Sequence, residues 1–212
     1  KRWLLAALVV SGELVTGVNA ACERLALDEM IGASAVGAYW SGADCVLGER
    51  PGPTKTKYTT LLALDNETAI LFGGNEGLTY SNDVRLLNFK TGEWVAFPTT
   101  GEPPSRRTMH SAVKWILPST GALQMTIYGG YDGGFLGDVR TLDLETRAWR
   151  SGCCSQGSQY SAGQRESHSA VAWLDAEGRP KMTVFGGRKS GKAINSWTTL
   201  DLLSETWSQT WK

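Results

Sequence analysis

The sequence predicts an all-β fold built from three tandem four-stranded units, preceded by a short helical N-terminal segment. Three observations carry this. A segment with a core at residues 71–94 recurs at residues 127–149 and 184–207, a period of 56 to 57 residues counted from glycine pair to glycine pair. Such a period marks stacked copies of one supersecondary unit. Each copy holds short apolar runs rich in β-formers, separated by polar turn signals. The period is also too short to hold long helices beside those strands.

Residues 1–50 carry no copy of the repeat. Lys1 and Arg2 precede an apolar stretch running from Trp3 to Ala21, with Glu13 and Asn19 inside it. Three readings of it stand open. One is a helix that spans or lies in a membrane, which needs about 20 mainly apolar residues. Another is a helix packed on protein. The last is a cleavable signal ending at the small residues around Val18, Asn19 and Ala20. Residues 22–39 read as a second helix, because Leu25, Leu27, Met30, Ile31, Ala35 and Val36 fall mostly at helical spacing. Residues 41–57 hold Gly42, Gly48, Pro51, Gly52 and Pro53 and read as a linker. The domains expected are therefore 1–50 and 51–212.

Within the repeat, residues 69–72, 125–128 and 182–185 read as buried strands. The glycine pairs Gly73-Gly74, Gly129-Gly130 and Gly186-Gly187 are expected to end them, where positive φ or close backbone approach is needed. Residues 84–89, 139–144 and 196–202 read as the next strands. Asn88, Asp143 and Asp201 suit the shoulder of a turn, since short polar side chains bond nearby backbone amides. Trp94, Trp149 and Trp207 follow them at a constant distance of six residues and start a further strand. Residues 110–116 and 168–174 alternate polar and apolar side chains, as half-buried strands do. They open with Arg107-x-x-His110 and Arg165-x-x-His168. The first copy has a faint version, with Lys55 and Tyr58 standing where Arg and His would.

The double glycine, the later Asn or Asp, the tryptophan six residues on and the upstream Arg-x-x-His together resemble the kelch repeat. The resemblance covers roughly residues 57–211. It implies that each copy forms one four-stranded blade of a β-propeller, with blades at about 57–98, 108–151 and 166–211. Three blades are fewer than the roughly four that close a ring. The expectation is an incomplete ring whose outer blade faces are covered by protein.

Composition narrows the function. Twenty-one basic residues balance twenty-one acidic ones, and no Lys/Arg-rich run is present. The electrostatic footprint of a nucleic-acid binder is absent. The four cysteines, Cys22, Cys45, Cys153 and Cys154, form no Cys-x-x-Cys or Cys/His cluster, so neither a metal site nor a cofactor is expected. Cys22 with Cys45, and Cys153 with Cys154, are left open between thiols and disulfides. His110 and His168 occupy one repeat position, which favours a fitting used in every blade over a catalytic group needed once. The same holds for Arg107 and Arg165, although in kelch proteins this region lies near the channel, where an acidic ligand would meet them. No nucleophile elbow, P-loop or zinc-protease motif appears.

The function expected is a non-catalytic protein–protein interaction module, an accessory or scaffold subunit of a larger assembly. Membrane contact through residues 3–21 belongs to this reading. The alternative is a propeller-type enzyme or small-molecule binder whose remaining blades or site residues lie outside this chain. The candidate contact loops follow the glycine pairs and differ between copies: Asn75, Glu76 and Tyr80, then Tyr131, Asp132 and Phe135, then Arg188, Lys189 and Lys192. Neither partner nor compartment is specified by the sequence.

Overall fold

The computed structural model describes residues 38–41, 44–47, 53, 55–150, 161–208 and 211, and the described residues are all-β. The chain divides into two compact units, Lys1–Arg50 and Pro51–Lys212. In the first, β1 (Ala38–Ser41) pairs antiparallel with β2 (Asp44–Leu47), Ser41 lying opposite Asp44. This corrects the helix expected over residues 22–39 at its end and the linker expected over 41–57 at its start. Tyr39, Trp40 and Val46 are strand formers, and helical spacing gave them no partners. Residues 22–37 and the apolar stretch 3–21 lie outside the described residues, as do Cys22, Cys153 and Cys154.

Among the described residues the second unit contains three blade sheets and one two-stranded ribbon. Blade 1 is β3 (Thr60–Ala63), β4 (Thr68–Asn75), β5 (Tyr80–Asn88) and β6 (Trp94–Ala96), hydrogen-bonded in that order. A short strand, β7 (Thr100–Gly101), follows. Blade 2 is β8 (Ser111–Ile116), β9 (Leu123–Tyr131), β10 (Phe135–Asp143) and β11 (Ala148–Arg150). The blade 2 sheet has five strands, because β7 pairs parallel with β11. Blade 3 starts with β12 (Ser169–Leu174) and β13 (Pro180–Phe185). A two-stranded ribbon of β14 (Arg188–Lys189) and β15 (Lys192–Ala193) interrupts it. The sheet closes with β16 (Trp197–Asp201) and β17 (Thr206–Trp207).

The glycine pairs do not end the strands in blades 1 and 2. There β4 and β9 run on to Asn75 and Tyr131, with register shifts against β5 and β10. The positive φ values at Gly73 (63°) and Gly74 (115°) absorb the irregularity without stopping the ladder. Only in blade 3 does the strand stop at Phe185, before the pair.

The turns form as their residues dictate. One carboxylate oxygen of Asp143 accepts hydrogen bonds from the Glu145 and Thr146 amides, at 3.0 and 2.8 Å. Asp201 does the same for Leu203 and Ser204, and Asn88 for Lys90 and Thr91. These turns set the start of β6, β11 and β17, and hence the position of each blade's tryptophan.

Those tryptophans show where the cores lie. Ile70, Phe72 and Val84 of blade 1 pack with Met125, Ile127, Leu142 and Trp149 of blade 2. Val113, Trp115, Tyr128 and Val139 of blade 2 pack with Met182, Val184, Leu200, Leu202 and Trp207 of blade 3. A sheet buries apolar surface only against a second layer, so each core lies between blades. Trp149 meets Phe72 at 5.6 Å between ring centres, and Trp207 meets Tyr128 at 5.0 Å. Truncating a large buried aromatic costs about 3–5 kcal/mol. Trp149→Ala is therefore expected to lose that much stability in urea unfolding, and the half-buried Trp94→Ala clearly less. Equal losses would contradict the interblade cores.

Candidate interaction surface

The Arg-x-x-His segment that leads into a blade grips the blade before it. The Gly74 amide donates to the Arg107 carbonyl at 2.9 Å, and the Gly130 amide to the Arg165 carbonyl at 2.9 Å. A Cβ on Gly73 would come within 2.8 Å of the Arg107 carbonyl oxygen, and one on Gly129 within 2.7 Å of that of Arg165. Glycine is required there by space as well as by φ. The arginine side chain turns the other way, into its own blade. Arg107 is 1% exposed; it donates to the Gly129 carbonyl and pairs with both carboxylate oxygens of Asp138, at 2.7 and 2.9 Å. In blade 3 Ser196 takes the place of Asp138, and Arg165 bonds the carbonyls of Gly186, Ser196 and Ala162 instead.

The histidines also cross the joints. His110 Nε2 lies 2.9 Å from the Thr60 hydroxyl of blade 1, and His168 Nε2 lies 2.8 Å from the Ser111 hydroxyl of blade 2. Each ring meets the aromatic residue before the preceding glycine pair edge-on, His110 with Phe72 and His168 with Tyr128. Burial, and next the Arg107 charge, push His110 down to about 3. Burial and Arg165 push His168 down to about 4. Asp138 is held below the usual carboxylate range; its burial works against this, and the Arg107 bond and charge outweigh it.

The lead-in of blade 1 sits one residue away from where Lys55 and Tyr58 would place it. Tyr58 has φ 57°, matching Met109 (56°) and Ser167 (54°), and Lys57 bridges Asn75 as Thr108 bridges Tyr131 and Glu166 bridges Arg188. Thr56 and Thr59 thus occupy the Arg and His positions. The Thr59 hydroxyl donates to the Phe72 carbonyl at 2.8 Å. With no arginine in this lead-in, Asp83 pairs instead with Arg85 of its own strand.

The three bridges also place the candidate loops. They set residues 75–80, 131–135 and 188–193 beside the lead-ins, at one end of the blades. Tyr80 and Tyr131 come together across the blade 1–blade 2 joint, with ring centres 6.1 Å apart, and Phe135 extends the row at 5.8 Å from Tyr131. Asn75 and Asp132 are turn formers, accepting from the Gly77 and Gly134 amides. Glu76, Lys189 and Lys192 are exposed, and Arg188 pairs with the buried Glu166 at 3.4 Å. The loops of blades 1 and 2 are thus brought into one patch. Leu78 was not singled out by sequence; it stands fully exposed within the first loop, and its apolar character in a polar turn was the available signal. Lys55, Lys57 and Arg106 add exposed cations to this end.

A cleft of about 320 Å³ lies between the outer strands of blade 1, lined by Asp83, Arg85, Phe97 and Pro103 among others. Among the described residues, no group of three or more His, Cys, Asp and Glu is placed to hold a metal ion, and no helix is long and apolar enough to cross a membrane.

Four-stranded blades joined by a glycine pair, an arginine carbonyl and a histidine define a kelch-type β-propeller protein. The KLHDC2/KLHL20/DRC7 Kelch-repeats domain matches residues 39–176, more than half of the chain, and the chain belongs to this kelch-repeat family. It is 28% identical over 168 residues to Host cell factor of Drosophila melanogaster, covering 66% of this chain and 11% of that protein. It is 34% identical over 112 residues to Host cell factor 1 of Rattus norvegicus, covering 51% of this chain and 5% of that one. To the Leucine-zipper-like transcriptional regulator 1 homolog of Drosophila melanogaster it is 26% identical over 174 residues, covering 78% and 16%. The chain thus spans only a small part of each of these relatives.

The buried histidines make the joints sensitive to acid. Their folded pKa values lie below the ordinary 6.5, so the unfolded chain takes up protons first. Stability is full above about pH 6.5 and falls as the pH drops toward 4, by up to about 1.4 kcal/mol per pH unit per histidine. Asp138, Asp143 and Asp201 are held below the usual carboxylate range, so their share of stability is lost mainly below about pH 4. In urea titrations between pH 7 and 4.5, His110→Gln and His168→Gln are expected to flatten the decline; an unchanged slope would refute the assignment.

Proposed function

We propose that this chain is a non-catalytic protein-interaction module, serving as an accessory or scaffold subunit of a larger assembly. The observation that carries the proposal is the aromatic row Tyr80–Tyr131–Phe135, which joins the variable loops of two blades into one surface. Large amphipathic side chains on a rigid frame are the usual anchors of protein interfaces, and charged groups around them steer association. The exposed Lys57, Arg106, Lys189 and Lys192 supply such groups. Membership of the kelch-repeat class, a class of interaction modules, supports the reading. So does the use of both histidines and both lead-in arginines in blade joints. Membrane contact through residues 3–21 belongs to the proposal and rests on their apolar run alone.

Hot-spot truncations cost at least about 2 kcal/mol each, a loss of roughly 30-fold in affinity. The triple variant Tyr80→Ala, Tyr131→Ala, Phe135→Ala is expected to lose the proteins that co-purify with the chain from its native cells, while circular dichroism and the unfolding midpoint stay near those of the parent. Retention of every partner by the folded triple variant would defeat the proposal.

A further inference from the structure

We propose that the cleft of blade 1 binds an arginine side chain of a partner protein, with its guanidinium on the Asp83 carboxylate. The cleft shares no residue with the aromatic row, and the proposal stands without the reading of that row.

Comparison between the blades identifies the site. Counted back from Asn88, Asp143 and Asp201, the residues Asp83, Asp138 and Ser196 occupy one position. The lead-in residues Thr56, Arg107 and Arg165 occupy another. Blade 2 has both halves of an ion pair, and Asp138 holds Arg107 through both carboxylate oxygens. Blade 3 has the arginine alone, and its guanidinium turns to the carbonyls of Gly186, Ser196 and Ala162. Blade 1 has the carboxylate alone. The Thr56 hydroxyl, which stands in the arginine's place, is buried without a hydrogen-bond partner among the described residues and takes over none of the arginine's bonds.

Arg85 does not use up the Asp83 carboxylate. Its Nη2 reaches Oδ2 of Asp83 at 3.3 Å. Its counterpart Arg140 sits on Asp138 in the same way, with Nε 3.4 Å from Oδ2, while Arg107 is bound there as well. One carboxylate at this position thus serves two guanidinium groups in blade 2 and one in blade 1. Oδ1 of Asp83 has no partner among the described residues, and the side chain is 56% exposed, against 34% for Asp138.

The surroundings suit an arginine. The cleft holds about 320 Å³, at the lower end of ligand-site volumes, so it admits one long side chain more readily than a large ligand. Beside Asp83 and Arg85, its lining includes Val84, Phe97, Pro98 and Pro103. Apolar walls beside a single carboxylate match a side chain with an aliphatic stem and a cationic head. A planar guanidinium takes both oxygens of a carboxylate at once, which an ammonium does not. The connection that supplies Pro98 and Pro103 is fixed in place. Asn82 donates from its side-chain amide to the Pro104 carbonyl at 3.2 Å, and β7 is paired with β11. The cleft is therefore formed before a ligand enters, which lowers the ordering cost of binding.

The test titrates the 212-residue chain with a blocked alanine pentapeptide carrying one central arginine, and follows the backbone amides by NMR. Shifts at the Asp83, Val84 and Phe97 amides are expected to saturate with a dissociation constant near the millimolar level. The same peptide with citrulline, similar in shape but uncharged, should bind at least about fivefold more weakly, the worth of one exposed but bidentate ion pair. Asp83→Asn should weaken the arginine peptide by a similar factor. Thr56→Arg supplies a lead-in arginine that takes the carboxylate from within the blade, and should weaken the peptide likewise. Free arginine should bind less well than the peptide, because its α-ammonium adds a charge beside Arg85. Equal binding of the arginine and citrulline peptides, or arginine binding that survives both substitutions, overturns the proposal. Free arginine binding as tightly as the peptide overturns the assignment to a protein partner, since the ligand is then a small guanidinium compound.

Discussion

The hydrogen bond from a glycine amide to the next lead-in arginine's carbonyl is the constraint on which the rest of the structure depends. It is made twice, by Gly74 with Arg107 and by Gly130 with Arg165. It exists only because the residue before each amide has no side chain: a Cβ at Gly73 or Gly129 would collide with that carbonyl. The same arginine then fastens its guanidinium inside its own blade. One residue thus binds backward through its main chain and forward through its side chain. Blade spacing is set at this point, and the interblade cores follow from it.

This joint explains why the chain's titratable groups look catalytic and are structural in their contacts. His110 and His168 are buried and neutral because they sit between a hydroxyl, an aromatic ring and a fixed arginine charge. Such surroundings disfavour a second positive charge. The arrangement is also nearest-neighbour in character: blade 2 contributes one side to each of the two cores and completes neither alone. What this leaves for recognition includes the loop end.

Much of this was legible in the sequence, because the joint is built from residues that few others can replace. The glycine pairs, the turn-forming Asn88, Asp143 and Asp201 and the spaced tryptophans each serve one local need, so their positions are conspicuous. The departures have physical reasons. Strands β4 and β9 continue past their glycines because a bulge absorbs positive φ without breaking the ladder. The first lead-in lies one residue from the Lys55 and Tyr58 alignment because Thr56 and Thr59 keep the backbone geometry of Arg and His without their chemistry. β7 leaves no sequence signal because two residues pairing with a neighbouring blade carry no periodicity of their own. The strand at Ala38–Ser41 was hidden by apolar spacing that fits helix and strand alike. The loop aromatics were marked as variable positions, but only the fold shows that Tyr80 and Tyr131 meet across a joint.

The central claim is that the joint, and not the glycine pair by itself, protects these amides. All three pairs have similar positive φ, so conformation alone makes them equivalent. Amide hydrogen exchange, read residue by residue by NMR on the isolated 212-residue chain, separates the two accounts. Gly74 and Gly130 are expected to exchange at least about a hundredfold more slowly than Gly187, because only they donate to an arginine carbonyl. Equal exchange at all three glycines would contradict it.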